Sequence, residues 1–187
     1  MANNLVITVS GPPGSGKTRH AKRIAEIFGL RYFSIGKYFR ELALKQGITL
    51  EKFHLKAERN SQYDFEVDKR AIIEAKKGNV VLDGHLTGWI AKKYADIKIY
   101  LTAPLRIRAK RIAKRDGKTL EEALEEIKVR EESNKKRYMK FYGIDLNDLS
   151  IYDIVINTEK WSEQEVEEVL VKLIKSYIER KKQRNSF

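Results

Sequence analysis

The residues with the clearest chemical meaning form a glycine-rich segment near the start of the chain. The segment G-P-P-G-S-G-K-T fits the phosphate-loop pattern G-x-x-x-x-G-K-[ST]. Glycines at these spacings let backbone N–H groups turn inward around a phosphate chain, while Lys17 reaches the terminal phosphates and the Thr18 hydroxyl binds Mg²⁺. The residues expected to contact the phosphates are Gly11, Pro12, Pro13, Gly14, Ser15, Gly16, Lys17 and Thr18.

A second candidate is the carboxylate that ends the short apolar run Val80-Val81-Leu82-Asp83. A buried strand that ends in an acidic residue beside a phosphate loop is the pattern expected for the group that holds the water shell of Mg²⁺. An aspartate in such a place often only caps the following turn. With the loop present, the sequence favours Asp83 as a metal ligand through water, beside Thr18.

Arginines recur on two consecutive predicted helices. The first helix carries Arg108, Arg111 and Arg115, and the second carries Arg130 and Arg137. Spacings of three, four and seven residues put each group on one face of its helix. A tight turn at Asp116-Gly117 joins the two helices, and such a pair is suited to fold as a lid over phosphates. The alternative is a solvated basic face on a strongly basic chain.

The remaining residue types exclude other chemistry. The histidines His20, His54 and His85 form no Ser/His/Asp or metal-binding set, and the chain has no cysteine. A kinase that phosphorylates a hydroxyl needs a carboxylate base beside the acceptor. An acceptor that is itself a phosphate is already ionised and needs only alignment and charge neutralisation. The arginines therefore favour a phosphate acceptor.

The elements that must position these groups alternate along the chain. Apolar β-branched runs predict strands at residues 5–9, 31–34, 80–83, 97–101 and 154–156, with amphipathic helices between them. This alternation predicts an α/β fold with a parallel β-sheet of about five strands flanked by helices. In the helix predicted for residues 64–77 we expect Asp64 to be the N-cap, and Thr119 with Glu122 predicts a capping box.

Length, composition and charge limit the class of protein. The chain has 187 residues, of which 42% are hydrophobic, which suits one domain with a buried core. Lys and Arg number 38 against 26 Asp and Glu, a net charge of +12 that favours polyanionic partners. The start M-A-N-N has no basic region leading into an apolar stretch, and no apolar run is long enough to span a membrane. We expect a cytoplasmic protein without a membrane partner.

Four further segments carry a resemblance to a known family. They are S-I-G-K-Y-F-R at residues 34–40, V-L-D-G-H-L-T-G-W at 81–89, R-E-E-S at 130–133 leading to R-Y at 137–138, and the distinctive stretch 142–153. Together they resemble the archaeal-type cytidylate kinases, which are P-loop nucleoside monophosphate kinases, over about residues 5–170. In that family the first segment is an S-x-G-x-x-x-R motif whose arginine grips the acceptor phosphate. Some members carry Arg and Asp where this chain has His85 and Lys37.

The resemblance implies a single P-loop kinase domain over residues 1–187. Its core would comprise residues 1–33, 78–107 and 143–187, with a segment that binds the nucleoside monophosphate (NMP) at 34–77 and a lid at 108–142. Lys17 and Arg111 would span the donor and transferred phosphoryl groups, Arg130 and Arg137 would close with the lid, and Arg108 would bind ATP. Residues 158–161 would lie near the donor adenine. The acceptor would contact Ser34, Gly36, Arg40, Asp68 and His85, although a lone histidine after a strand is also typical of a structural residue.

The implied activity is transfer of the γ-phosphoryl group of ATP to CMP, and to dCMP, giving CDP and ADP with Mg²⁺. UMP or AMP as the acceptor remains an alternative, because the base pocket cannot be assembled from the sequence. A further alternative is an RNA-binding P-loop protein, which the charge and the basic stretch at residues 172–184 favour. That stretch holds few aromatic side chains, so we expect a monomer that binds small nucleotides and not nucleic acid.

Overall fold

A five-stranded parallel sheet forms the centre of the protein in the computed structural model, which describes residues 4–184. The strands are Val6–Ser10 (β1), Arg31–Ser34 (β2), Val80–Asp83 (β3), Ile97–Thr102 (β4) and Ile154–Asn157 (β5). They pair in the order β2-β3-β1-β4-β5, and every pair is parallel. β1 and β3 are buried along their whole length because helices cover both faces, which explains their unbroken apolar runs. The predicted α/β fold is confirmed.

Helices connect the strands and cover both faces of the sheet. Within the described residues they are Lys17–Phe28 (α1), Ile35–Lys45 (α2), Leu50–Arg59 (α3), Gln62–Lys76 (α4), Thr87–Ile90 (α5), Leu105–Asp116 (α6), Leu120–Tyr142 (α7) and Glu163–Arg184 (α8). None of them is both long and apolar enough to cross a bilayer. The sequence interpretation did not include α5, since a single turn is too short to show a helical period.

Helix caps agree with the sequence at one predicted position and differ at another. The capping box of Thr119 and Glu122 is present at the start of α7. The prediction that Asp64 caps α4 is wrong, because the helix begins at Gln62 and Asp64 lies in its first turn. The Asp64 side chain is buried there and pairs with Arg137 of α7. A carboxylate that an arginine neutralises can face the protein interior, so it is not available to cap the helix end.

Four separate apolar clusters hold the helices in place, and three of them show how the helices are grouped. The largest packs α1 and α8 against the sheet, with Ile7, Ile24 and Leu170 fully buried. A second cluster joins α2, α3 and α4, where the rings of Phe39 and Phe53 lie 4.6 Å apart. A third joins the facing sides of α6 and α7. The helices at residues 35–76 and at 105–142 therefore each have an apolar cluster of their own, and Ala75 at the end of α4 also packs on β1 and β3.

Candidate active site

The glycine-rich loop runs between β1 and α1, as the sequence predicts. Gly14 has a φ of +79°, and a Cβ there would lie 2.6 Å from the carbonyl oxygen of Arg108. Gly11 has a φ of +146°, and its Cβ would lie 2.1 Å from the carbonyl oxygen of Leu101. Side chains are excluded at both positions by backbone conformation and by space. The loop is thereby held against β4 and α6 with its backbone free to approach a ligand closely.

Lys17 begins α1 and lies among positive charges. Its Nζ donates to the carbonyl of Pro12 over 3.1 Å. Burial lowers the pKa of Lys17 to about 8; Asp83 opposes this shift, whereas Arg130, Arg115 and Arg108 reinforce it. Cations brought together in this way repel one another and are stabilised by a bound polyanion. The surroundings of Lys17 are those of a phosphate site.

Asp83 and Thr18 meet beside the loop. The Oδ2 atom of Asp83 accepts from the Thr18 hydroxyl over 2.7 Å and from the Tyr32 hydroxyl over 2.8 Å. Its Oδ1 atom is buried without a hydrogen-bond partner among residues 4–184. One carboxylate and one hydroxyl fit Mg²⁺, which keeps several of its waters and takes its remaining ligands from phosphates. In the same described range no cluster of three or more His, Cys, Asp or Glu side chains is suited to a metal.

The start of α2 presents the motif predicted to hold the acceptor phosphate. The Ser34 hydroxyl accepts from the backbone N–H of Lys37 over 3.2 Å and caps the helix. A Cβ at Gly36 would lie 3.7 Å from a guanidinium nitrogen of Arg40, so the Arg40 side chain folds back over the glycine. Partial desolvation lowers the pKa of Arg40, and the nearby charges of Arg130 and Arg115 lower it further. Arg40 thus belongs to the same group of cations as Lys17.

The three arginines of the predicted stripe on α6 have different surroundings. Arg108 is buried and donates to the carbonyls of Ala103 (2.8 Å) and Pro13 (3.1 Å), and it pairs with Glu131 of α7 at 2.5 Å. These contacts tie the phosphate loop to both helices of the predicted lid. Arg108 therefore stabilises the loop, and it remains a predicted ATP contact.

Arg111 and Arg115 lie farther along α6 and make different contacts. Arg111 donates to the hydroxyl and the carbonyl of Thr158, each over 2.8 Å, beside the loop carbonyl of Gly14. The exposed Arg115 is the arginine of α6 whose charge, like that of Arg130, acts on both Lys17 and Arg40. The sequence interpretation placed Arg115 on the arginine stripe but did not select it for the site. Helical spacing alone cannot say which member of a stripe reaches the phosphates.

α7 brings a row of polar side chains over the carboxyl end of β3. Arg130 pairs with Glu126 at 3.0 Å, and its Nε is buried without a partner in the described part of the chain. Arg137 is 2% exposed and pairs with Asp64. Its second guanidinium nitrogen donates to the Oδ1 of Asn134 over 2.6 Å, which turns the amide nitrogen of Asn134 toward His85. The catalytic role of Arg137 stays a prediction, and no sequence pattern pointed to Asn134.

His85 is a neutral histidine in this structure. Asn134 Nδ2 lies 2.8 Å from His85 Nδ1, so the orientation of the amide makes Nδ1 the acceptor and leaves the proton on Nε2. Burial lowers the pKa of His85 to about 3, and the charges of Lys17 and Arg130 contribute. A neutral imidazole can donate through Nε2 but adds no charge to the site. His85 stands beside the phosphate cluster, and its contact with the acceptor stays a prediction.

Asp68 lies apart from the phosphate cluster, where α4 faces the end of α7. Its Oδ2 accepts a hydrogen bond from the Tyr142 hydroxyl. Burial raises the pKa of Asp68 to about 7; Tyr142 opposes this effect, nearby Asp64 adds to it, and Arg137 opposes it. The two residues line a cavity of about 550 Å³ between α4, α5 and the segment after α7. The structure therefore places Ser34, Gly36, Arg40 and His85 near the loop, and Asp68 at a separate cavity.

The solved structures to which the chain is similar include a kinase of the same architecture. The chain is similar to shikimate kinase from Acinetobacter baumannii, bound to shikimate, with a TM-score of 0.57 and 18% identity over 94% of this chain and 95% of that one. An uncharacterized protein from Eubacterium ventriosum gives a TM-score of 0.68 and 20% identity over 92% of this chain and 99% of that one. Together with the loop, the sheet order places the fold among the P-loop kinases.

Sequence relatives narrow the class. The model described as the cytidylate kinase-like family matches residues 6–160. A cytidylate kinase from Staphylothermus marinus is 53% identical over 93% of this chain and 98% of its own length. Another from Pyrococcus horikoshii is 53% identical over 88% of this chain and 85% of its own. The chain belongs to the cytidylate kinase-like family.

Proposed function

We propose that the protein transfers the γ-phosphoryl group of ATP to CMP, and to dCMP, and releases CDP and ADP. The observation that carries this proposal is the convergence of Lys17, Arg40, Arg115 and Arg130 beside Asp83, above the carboxyl ends of the strands. Relatives named cytidylate kinase support CMP as the acceptor.

The donor would bind along the loop at residues 11–18. Backbone N–H groups of the loop and Lys17 hold its phosphates, and Arg111 with Thr158 flanks the loop on the side expected for the adenosine. Thr18, and Asp83 through water, would hold Mg²⁺, which neutralises charge on the β- and γ-phosphates when it is bound. The loop therefore orients the phosphoryl group that leaves the donor.

The acceptor would bind at the start of α2. Ser34, Gly36 and Arg40 face its phosphate, and His85 donates to it or to the ribose through Nε2. A phosphate monoester is largely a dianion at pH 7, since its second pKa is about 6, so an oxygen of CMP can attack without a general base. Lys17, Arg40, Arg115 and Arg130 then stabilise the charge spread over the transferred group.

We also propose the division into a core, an NMP-binding segment and a lid with the boundaries given above. The separate apolar clusters of α2–α4 and of α6–α7 support it. The cluster of positively charged side chains around Lys17 suits free nucleotides better than RNA. We also propose that the protein works as a cytoplasmic monomer. Light scattering with and without RNA tests the oligomeric state and the absence of RNA binding.

Turnover of a panel of nucleoside monophosphates tests the main proposal. With ATP and Mg²⁺ we expect CMP and dCMP to be phosphorylated with the highest kcat/KM, ahead of UMP and AMP. Lys17→Ala should abolish turnover and leave the melting temperature unchanged, since losing one group that stabilises the transferred charge costs about 10²-fold or more. Preference for another acceptor, or a folded Lys17→Ala variant with more than about a tenth of wild-type activity, would contradict the proposal.

A further inference from the structure

Tyr32 reaches the proposed Mg²⁺ site from the strand next to the one that carries Asp83. It lies on β2, which runs parallel to β3 and pairs Tyr32 with Val81. The Tyr32 hydroxyl donates to Asp83 Oδ2 over 2.8 Å, and the Thr18 hydroxyl donates to the same atom over 2.7 Å. Neither the sequence motifs nor the proposed function assigns a role to Tyr32. The geometry therefore adds a third side chain to a site for which only Thr18 and Asp83 were predicted.

The ring of Tyr32 is held in place by its surroundings. It is partly buried and packs against the apolar cluster between the sheet and α1. The ammonium group of Lys22 lies over its face, 5.8 Å from the ring centroid. Because the ring is packed in this way, its hydroxyl approaches Asp83 from a fixed direction. A donor in a fixed position restricts rotation of the carboxylate that accepts from it.

The two oxygens of the Asp83 carboxylate have different surroundings. The residue is 1% exposed. Oδ2 accepts from two hydroxyls, whereas Oδ1 is buried and has no hydrogen-bond partner in the described part of the chain. A buried acceptor is costly unless a ligand or water donates to it. Mg²⁺ keeps several of its waters when it binds to proteins, and such waters are donors that suit Oδ1.

The hydroxyls of Thr18 and Tyr32 differ in what else they are expected to do. A hydroxyl has one hydrogen and two lone pairs, so Thr18 can donate to Asp83 and also offer a lone pair to the metal. Tyr32 is the donor to Asp83 that is not itself a proposed ligand. Its hydrogen bond therefore fixes the carboxylate independently of the metal.

We infer that Tyr32 is a positioning residue for the Mg²⁺ that accompanies the donor nucleotide. Its hydroxyl holds Asp83 Oδ2 so that Oδ1 accepts from a water of the metal, and Tyr32 acts through Asp83. The inference rests on the donor half of the proposed function. Partners of this kind, which orient a metal-binding group from outside, typically contribute about 10- to 100-fold to metal affinity.

Nucleotide binding without turnover tests the role of Tyr32. Isothermal titration calorimetry gives the Kd of a non-hydrolysable ATP analogue in EDTA and in excess Mg²⁺. The ratio of the two values measures how much the metal tightens binding, because metal and nucleotide are thermodynamically linked. Tyr32→Phe removes the hydroxyl and keeps the ring. It should leave the Kd in EDTA within about twofold of the wild-type value and reduce the ratio at least about tenfold.

Tyr177→Phe is the matched control. The Tyr177 hydroxyl donates to Asp96 over 3.1 Å, and its ring packs on the same apolar cluster as Tyr32. Asp96 precedes β4 and so lies at the opposite end of the sheet from Asp83. This variant also loses a hydrogen bond from a hydroxyl to a carboxylate, but it should keep the wild-type ratio. Circular dichroism verifies that each variant is folded.

A double variant shows whether Tyr32 acts through Asp83. Asp83→Ala should itself reduce the ratio of the two Kd values. Adding Tyr32→Phe should then change the ratio less than about twofold, since the carboxylate that the hydroxyl positions is absent. A further tenfold loss in this background would mean that Tyr32 acts on the metal or the nucleotide directly, which would overturn the inference.

Two other outcomes would also overturn the role of Tyr32. One is a Tyr32→Phe variant that keeps the wild-type ratio, and the other is an equal reduction of the ratio in Tyr177→Phe. Wild-type protein that prefers an acceptor other than CMP contradicts the proposed function instead. That result leaves the inference standing, because binding of the ATP analogue does not involve the acceptor.

Discussion

The buried ion pair of Arg137 and Asp64 leads to a quantitative prediction about the free energy of unfolding. Arg137 is 2% exposed and Asp64 is 6% exposed. Arg137→Ala leaves the Asp64 carboxylate buried without its cation and removes the donor to Asn134. Breaking such a pair costs about 3–5 kcal/mol. For 187 residues, an unfolding entropy of about 2.1 cal/mol/K per residue converts this loss into a melting temperature lower by about 10 °C.

Thermal unfolding followed by circular dichroism at pH 7 measures this loss. The deficit should persist in 1 M salt, because buried charges are screened little. Burial raises the pKa of Asp64 and Arg137 opposes that shift, so removing Arg137 raises the pKa further. A carboxyl group with a raised pKa stabilises the folded state at low pH and destabilises it as pH rises. The deficit of Arg137→Ala should therefore shrink between pH 7 and pH 5.

A double variant distinguishes the effect of breaking the ion pair from the effect of lost packing. Replacing both partners with apolar residues, Asp64→Leu with Arg137→Met, removes the buried charges together and should recover most of the lost stability. A loss below about 1 kcal/mol in Arg137→Ala, or a double variant no more stable than the single one, would refute the reasoning. Activity measured well below the melting temperature then reports separately whether Arg137 lowers kcat with little change in CMP affinity, as expected for a contact made in the reacting complex.

Three further predictions concern the site itself. Arg40→Ala should raise KM for CMP more than KM for ATP in steady-state assays, and equal weakening of both would move Arg40 from the acceptor site to the shared reaction centre. Because the pKa of Lys17 is lowered to about 8, kcat/KM for ATP should fall as pH rises above about 8 and the neutral amine accumulates; a profile that stays flat to pH 10 would contradict this. Thr158→Val removes the hydroxyl that holds Arg111 and should raise KM for ATP but not for CMP, while Thr158→Ser restores the wild-type value; equal effects of the two replacements would refute a role of the hydroxyl.

Local patterns were sufficient to predict the sheet and the loop. Each strand is a short β-branched run whose signal lies in adjacent residues, and the loop needs specific residue types at fixed spacing. The position of Asp83 was predictable for the same reason, because this residue ends a strand that lies beside the loop in the sheet. The capping box of Thr119 also depends on only four consecutive residues.

Contacts between distant helices were not predictable in this way. The pairing of Asp64 with Arg137 and of Asn134 with His85 depends on which side of α7 packs on α4 and β3, and no local period contains that information. Which of Arg111 and Arg115 faces the phosphate cluster likewise depends on the position of Thr158, because Thr158 holds Arg111. Thr158 lies more than forty residues farther along the chain.

The long helix α7 has a consequence for how binding of one substrate affects the affinity for the other. It has 23 residues and so extends about 34 Å. Its first half shares an apolar cluster with α6, which carries the arginines of the proposed donor site, and its second half is tied to α4 through Arg137 and Tyr142. A continuous helix transmits a displacement from one end to the other, so the proposed closure of the lid over ATP would also displace the proposed acceptor side. We expect binding of the two nucleotides to be cooperative, and thermodynamic linkage requires that each tighten the affinity for the other by the same factor.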